Sequence, residues 1–109
     1  MPYDDALADR IRPFFRSVPG CVEKKMFGGN AFLLGGNMCV GVWKEFLILR
    51  LGPEQGAAAL LQPGMKEFDI TGKPMRGWVM VDAADLHDRP ALKAWIDQAV
   101  RFVRTLPVK

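Results

Sequence analysis

The 109-residue sequence predicts a two-layer α+β fold, an antiparallel β-sheet meander with helices packed on it. Three observations carry this. Apolar residues recur at helical spacing near both ends of the chain. Between Cys21 and Leu51 the period drops to two over four short segments. Glycine or polar pairs separate those segments at hairpin spacing. The predicted order is α-β-β-β-β-α-β-β-α, in one domain spanning residues 1–109.

The first helix rests on Leu7, Ile11, Phe14, Phe15 and Val18, which share one face, with Asp4 or Asp5 as its cap. Pro13 removes one helical hydrogen bond and crowds the carbonyl of Asp9, so a kink or an early end is expected there. Ser17-Val18-Pro19-Gly20 then turns the chain. From Cys21, the residues Val22, Lys24 and Met26 face one way and Glu23, Lys25 and Phe27 the other. Strands over 30–34, 38–43 and 46–51 follow, joined through Gly28-Gly29, Gly35-Gly36-Asn37 and Lys44-Glu45. Gly52-Pro53-Glu54 opens a short helix, since proline suits a first helical position, and Pro63-Gly64 closes it. Strands are expected around 68–70 and 78–81, with a turn at Thr71 to Pro74 between them. Asp82 caps a short helical turn. Asp88 caps a last helix with apolar spacing at Leu92, Trp95, Ile96, Ala99, Phe102, Val103 and Leu106.

Half the residues are hydrophobic and a quarter charged, which is the balance of a folded domain and not of a disordered chain. The acidic, polar start has no signal-peptide pattern, and no stretch reaches the roughly 20 apolar residues of a membrane span. A cytoplasmic address without membrane contact is the expectation. Cys21 and Cys39 have neither CxxC spacing nor a nearby histidine, and read as reduced structural residues.

Catalytic chemistry finds little footing. The segment KKMFGGNAFLLGGNMCVGV, Lys24 to Val42, is glycine-rich, but no GxxxxGK[ST] is present and no GxGxxG opens a helix. Gly72-Lys73 runs into Pro74, which has no N–H to offer a phosphate. The single histidine, His87, lies between Asp85 and Asp88 without a metal or triad constellation, and Ser17, Thr71 and Thr105 have no base at recognisable spacing. No catalytic residue, metal or cofactor is therefore predicted. An enzyme or small-ligand binder using a pocket near the glycine turns ranks last.

Two surface features remain. The net charge of +3 includes Lys24 and Lys25 beside the glycine turn, and Lys66, Lys73 and Arg76 flanking Trp78. Lys24, Lys25, Lys73, Arg76 and Trp78 form the candidate partner-binding set, the cations steering and the tryptophan anchoring. The same cations suit nucleic-acid phosphates, while lysines on an edge strand also guard a sheet against aggregation. The second feature is that the central strands are apolar on both faces: Phe32 and Leu33, Val40 and Trp43, and Leu47 and Ile48 point opposite ways. Helices on one side leave the other apolar face in need of another layer, a protein partner or a second copy, most simply a homodimer.

The stretches EKKMFGGNAFLLGGNMCVGV, LRLGPEQGAAAL, FDITGKPMRGWVMVD and ALKAWIDQAVRFVRTLP together closely resemble the N-terminal domain of the TfoX/Sxy family. KKMFGG combined with GKPMRGW is the specific part of the match. The resemblance implies a two-layer fold similar to secretion-chaperone-like domains. It also implies kinship with bacterial competence regulators, which promote expression of DNA-uptake genes in concert with the cyclic-AMP receptor protein. It supplies no catalytic or ligand-binding set. The expected function is that of a non-enzymatic protein acting through protein contacts in transcriptional regulation, with direct nucleic-acid binding as the alternative.

Overall fold

The computed structural model describes residues 4–26, 28–68, 76–86 and 88–108. They form α1 (Asp5–Arg16), β1 (Cys21–Met26), β2 (Gly29–Leu34), β3 (Asn37–Trp43), β4 (Phe46–Arg50), α2 (Pro53–Ala59), β5 (Met65–Glu67), β6 (Trp78–Asp82), a 3-10 turn (Ala83–Asp85) and α3 (Arg89–Val103). This is the predicted order. All strands join one antiparallel sheet, arranged β1-β2-β3-β4-β6-β5.

Local chemistry explains most of the boundaries. Asp4 caps α1 by accepting the N–H of Leu7 at 3.1 Å, which satisfies one free donor of the first turn. The β2–β3 hairpin turns through Gly35 and Gly36, at φ 57° and 83°. Two successive positive φ values match the twist of the flanking strands, and glycine adopts them without strain. Asp82 accepts the N–H of Ala84 at 2.9 Å and starts the 3-10 turn. At α3 the cap position is Asp88 as expected, but its side chain makes no capping hydrogen bond.

Two expected boundaries move. Of the kink or early end expected at Pro13, the early end does not occur, and α1 runs on to Arg16. The final turn is held from outside: Phe15 is buried and stacks on Phe32 with ring centroids 4.9 Å apart, so tertiary packing offsets the lost hydrogen bond. The fifth described strand lies at Met65–Glu67, just ahead of the one expected around 68–70, of which only Phe68 is described and is not in a strand. Its place is set by pairing of Met65, Lys66 and Glu67 with Val81, Met80 and Val79. The turn expected at Thr71 to Pro74 lies outside the described residues, as do residues 69 and 70.

Strand register assigns the faces. Phe32, Val40, Leu49 and Val79 lie across from one another, as do Val42, Leu47 and Val81. These residues share one core with Leu7, Ile11 and Phe15 of α1 and Leu92, Ile96, Ala99 and Val103 of α3. Both long helices therefore cover the same side of the sheet. A bulge in the β2–β3 pairing leaves Cys39 as the extra residue between Met38 and Val40, and Cys39 is fully buried. Burial pushes its thiol pKa up to about 12, so it is protonated at neutral pH. At the C-terminus, Asn37 Nδ2 donates to the carbonyl of Pro107 at 2.8 Å, laying the tail against the β2–β3 turn.

Candidate functional site

The side of the sheet opposite α1 and α3 is built from alternate residues of each strand. β1 gives Val22, Lys24 and Met26; β2 gives Ala31 and Leu33; β3 gives Met38, Gly41 and Trp43. β4 gives Phe46, Ile48 and Arg50, and β6 gives Trp78, Met80 and Asp82. Ala31 and Ile48 are fully buried on this face, whereas Leu33, Met38, Trp43, Phe46, Trp78 and Met80 are half-buried. No described helix covers it.

Aromatic rings and cations are paired across this face. Lys44 Nζ lies 4.6 Å from the ring centroid of Trp43, which stacks with Phe46 at 6.3 Å. Lys66 Nζ lies 5.1 Å from the ring of Phe46. Arg50 Cζ lies 5.0 Å from the ring of Trp78, whose neighbour Phe68 is 5.7 Å away. Each cation is drawn to the negative face of its ring, which holds charge over apolar surface. The result is a surface that is apolar at its floor and cationic above it.

The predicted set divides across this architecture. Lys24 and Lys25 are exposed on β1, an outermost strand, with Lys24 on the open face and Lys25 on the helix side. Trp78 is on β6, four strand spacings from β1, or roughly 19 Å. Arg76 lies two residues before it, exposed at the mouth of two clefts. One, of about 380 Å³, is lined by Leu51, Gly52, Pro53, Glu54, Gln55 and Phe102 together with Arg76. The other, of about 220 Å³, lies between α2 and the start of β6 and includes Gly56, Glu67 and Trp78. Lys73 and His87 fall outside the described residues. The structure thus brings Arg76 to Trp78 and sets Lys24 and Lys25 apart from both. Sequence reading missed Trp43, Phe46, Lys44 and Arg50 as site members. Strand alternation carried the signal, since it places Phe46 and Arg50 on the face of Trp78.

Beside β1 a polar clamp ties α1 to the sheet. Glu23 accepts from Arg12 Nε at 2.9 Å and Nη2 at 2.8 Å, and from the buried Asn30 Nδ2 at 2.6 Å. The Arg12 guanidinium holds the Glu23 carboxyl below its ordinary pKa of 4.5, with Asn30 adding to the effect and partial burial opposing it. A depressed carboxylate pKa stabilises the fold fully above the unfolded value, and that stability fades as pH falls through the folded value. Glu23→Gln is therefore expected to cost up to about 1 kcal/mol at pH 7, limited because the side chain is 35 % exposed. Urea titrations should show the gap from wild type closing below pH 4.5. An equal gap at pH 7 and pH 3 would contradict this.

Other reactive groups are locally occupied or isolated. Thr105 Oγ1 donates to the Phe102 carbonyl at 2.6 Å, and Ser17 is the C-cap of α1. Among the described residues no three His, Cys, Asp or Glu side chains are grouped to hold a metal ion. No described helix is long and apolar enough to cross a membrane.

An antiparallel sheet covered by helices on one side, with an aromatic and cationic surface on the other, defines an α+β domain. The sequence model of the TfoX N-terminal domain matches residues 14–103, and the chain belongs to that family. The family is of regulatory type. No curated protein matches the chain, and no solved structure does.

Proposed function

We propose that this chain is a cytoplasmic, non-enzymatic regulatory domain, one unit over its whole length, that docks a protein partner on the open face of its sheet. The observation that supports this is the face itself: half-buried Leu33, Met38, Trp43, Phe46 and Met80 beside Lys44, Arg50 and Lys66. Aromatic residues, methionine and arginine are the types enriched where proteins meet, and methionine adapts to an irregular partner. Arg76 and Trp78 extend this surface toward α2, and Lys24 adds positive charge that favours an acidic partner. Family membership points to transcriptional regulation of competence-type genes as the process served.

The test is affinity purification from the source cell with and without nuclease, using wild type and an Arg50→Glu/Lys66→Glu variant. The expected result is a discrete protein retained by wild type after nuclease and lost by the variant. Equal retention by both would overturn the reading. A second reading, direct binding of single-stranded nucleic acid, is favoured by the three ring–cation pairs, because bases stack on such rings while cations meet phosphates. It requires capture to vanish with nuclease and affinity to fall steeply with salt.

A further inference from the structure

We infer that the outer edge of β1 pairs with the same strand of a second copy, in the antiparallel register centred on Lys24, extending the sheet across a two-fold axis. This goes beyond docking on the open face and does not depend on it. Of the two sheet edges, β5 is three residues long, whereas β1 is six residues, unbulged in its pairing with β2 and without proline. No described strand pairs with its outer side. Its lysines guard this edge against indiscriminate pairing, so a long, regular edge of this kind accepts only a strand whose charges complement its own.

The side chains select the occupant. Val22 and Met26 are 59 % and 38 % exposed and sit two residues either side of Lys24, on the open face. Glu23 and Lys25 flank it on the helix side, where they oppose Phe32 and Asn30 of β2. A two-fold axis normal to the sheet keeps like faces together, so the candidate registers centre on Glu23, Lys24 or Lys25. The Glu23 register sets that carboxylate against its own copy. The Lys25 register opposes two Lys25 ammonium groups and leaves Lys24 against Met26. Only the Lys24 register sets Val22 against Met26 and Glu23 against Lys25, twice each by symmetry, which makes the strand complementary to itself. Its one like-charge pair is Lys24 with Lys24, on the axis at the open surface. Glu23 already accepts from Arg12 and Asn30, but a carboxylate has lone pairs for a further donor.

The register predicts a cross-link. Directly opposed residues of an antiparallel pair have Cα atoms about 4.5–5.5 Å apart, within the span a disulfide bridges. Lys24→Cys, oxidised under mild conditions and mapped by mass spectrometry, should give a dimer joined through the two introduced thiols, with Cys21 and Cys39 left out of the link. Wild type should sediment as a dimer. Lys25→Glu, an exposed change that leaves the circular dichroism intact, should weaken the dimer about tenfold or more by turning two attractive pairs repulsive. A monomer at every concentration would overturn the inference. So would a dimer indifferent to Lys25→Glu, or a Lys24→Cys protein whose introduced thiols do not join.

Discussion

Phe32→Ala is expected to cost about 3–5 kcal/mol, a large share of the roughly 5–15 kcal/mol available to a domain of this size. Phe32 projects from the second strand into the layer between sheet and helices and is 2 % exposed. It stacks on Phe15 and lies across the ladder from Val40, so truncation opens a cavity beneath α1 that rigid strands cannot close. It also removes the packing that holds the last turn of α1 beyond Pro13, where the helix already lacks one hydrogen bond. Urea denaturation should show a lower midpoint with an unchanged slope, because the surface exposed on unfolding is nearly the same. Leu61→Ala, at a position 88 % exposed, is the control and should change stability by less than about 0.5 kcal/mol. A loss of under about 1 kcal/mol at Phe32 would show that this contact does not anchor α1.

The element order was legible because each segment carries its own period. The meander shows alternation bounded by turn residues, and α3 shows apolar residues at helical spacing around a buried stripe. The misses came where long-range contacts overrule local preference. Pro13 predicts a kink or an early end, and the early end is avoided because the turn after it is packed from outside. The short strand Met65–Glu67 is fixed by its partner β6 and not by its own alternation. The candidate site was less legible. Apolar residues on both sides of the central strands called for a second covering layer, and no described helix supplies one. Residue type, cations with an aromatic anchor, however, grouped Lys24 and Lys25 with Trp78, which the sheet order separates. The surface around Phe46 depends on strand neighbours, since Lys66 reaches its ring from a strand two places away. No linear spacing encodes that approach.

Gly77→Ala is the second large effect, expected at about 2–4 kcal/mol, and it links the family signature GKPMRGW to the site. Gly77 has φ +90°, a conformation that L side chains rarely adopt, and an added Cβ would lie 3.0 Å from the carbonyl carbon of Gly52 and 3.1 Å from Pro53 N. Both atoms are backbone and cannot step aside as a flexible side chain does. The Gly77 carbonyl accepts from Leu51 N at 2.8 Å and Gly52 N at 3.1 Å, so a displaced residue 77 loosens the start of α2 as well. From the opposite side, a Cβ on Gly56 would meet Gly77 Cα at 2.8 Å, so the contact is tight from both partners. Gly20→Ala separates strain from crowding: Gly20 has φ +80° but nothing within 4 Å of its added Cβ, so it should cost only about 1 kcal/mol. The excess at Gly77 then measures the close approach of α2 to β6. Because Arg76 and Trp78 flank this glycine, partner capture by Gly77→Ala should fall even where the protein remains folded, as judged by circular dichroism. Costs equal to Gly20→Ala, with capture unchanged, would show that α2 yields freely and that Gly77 does not position Trp78.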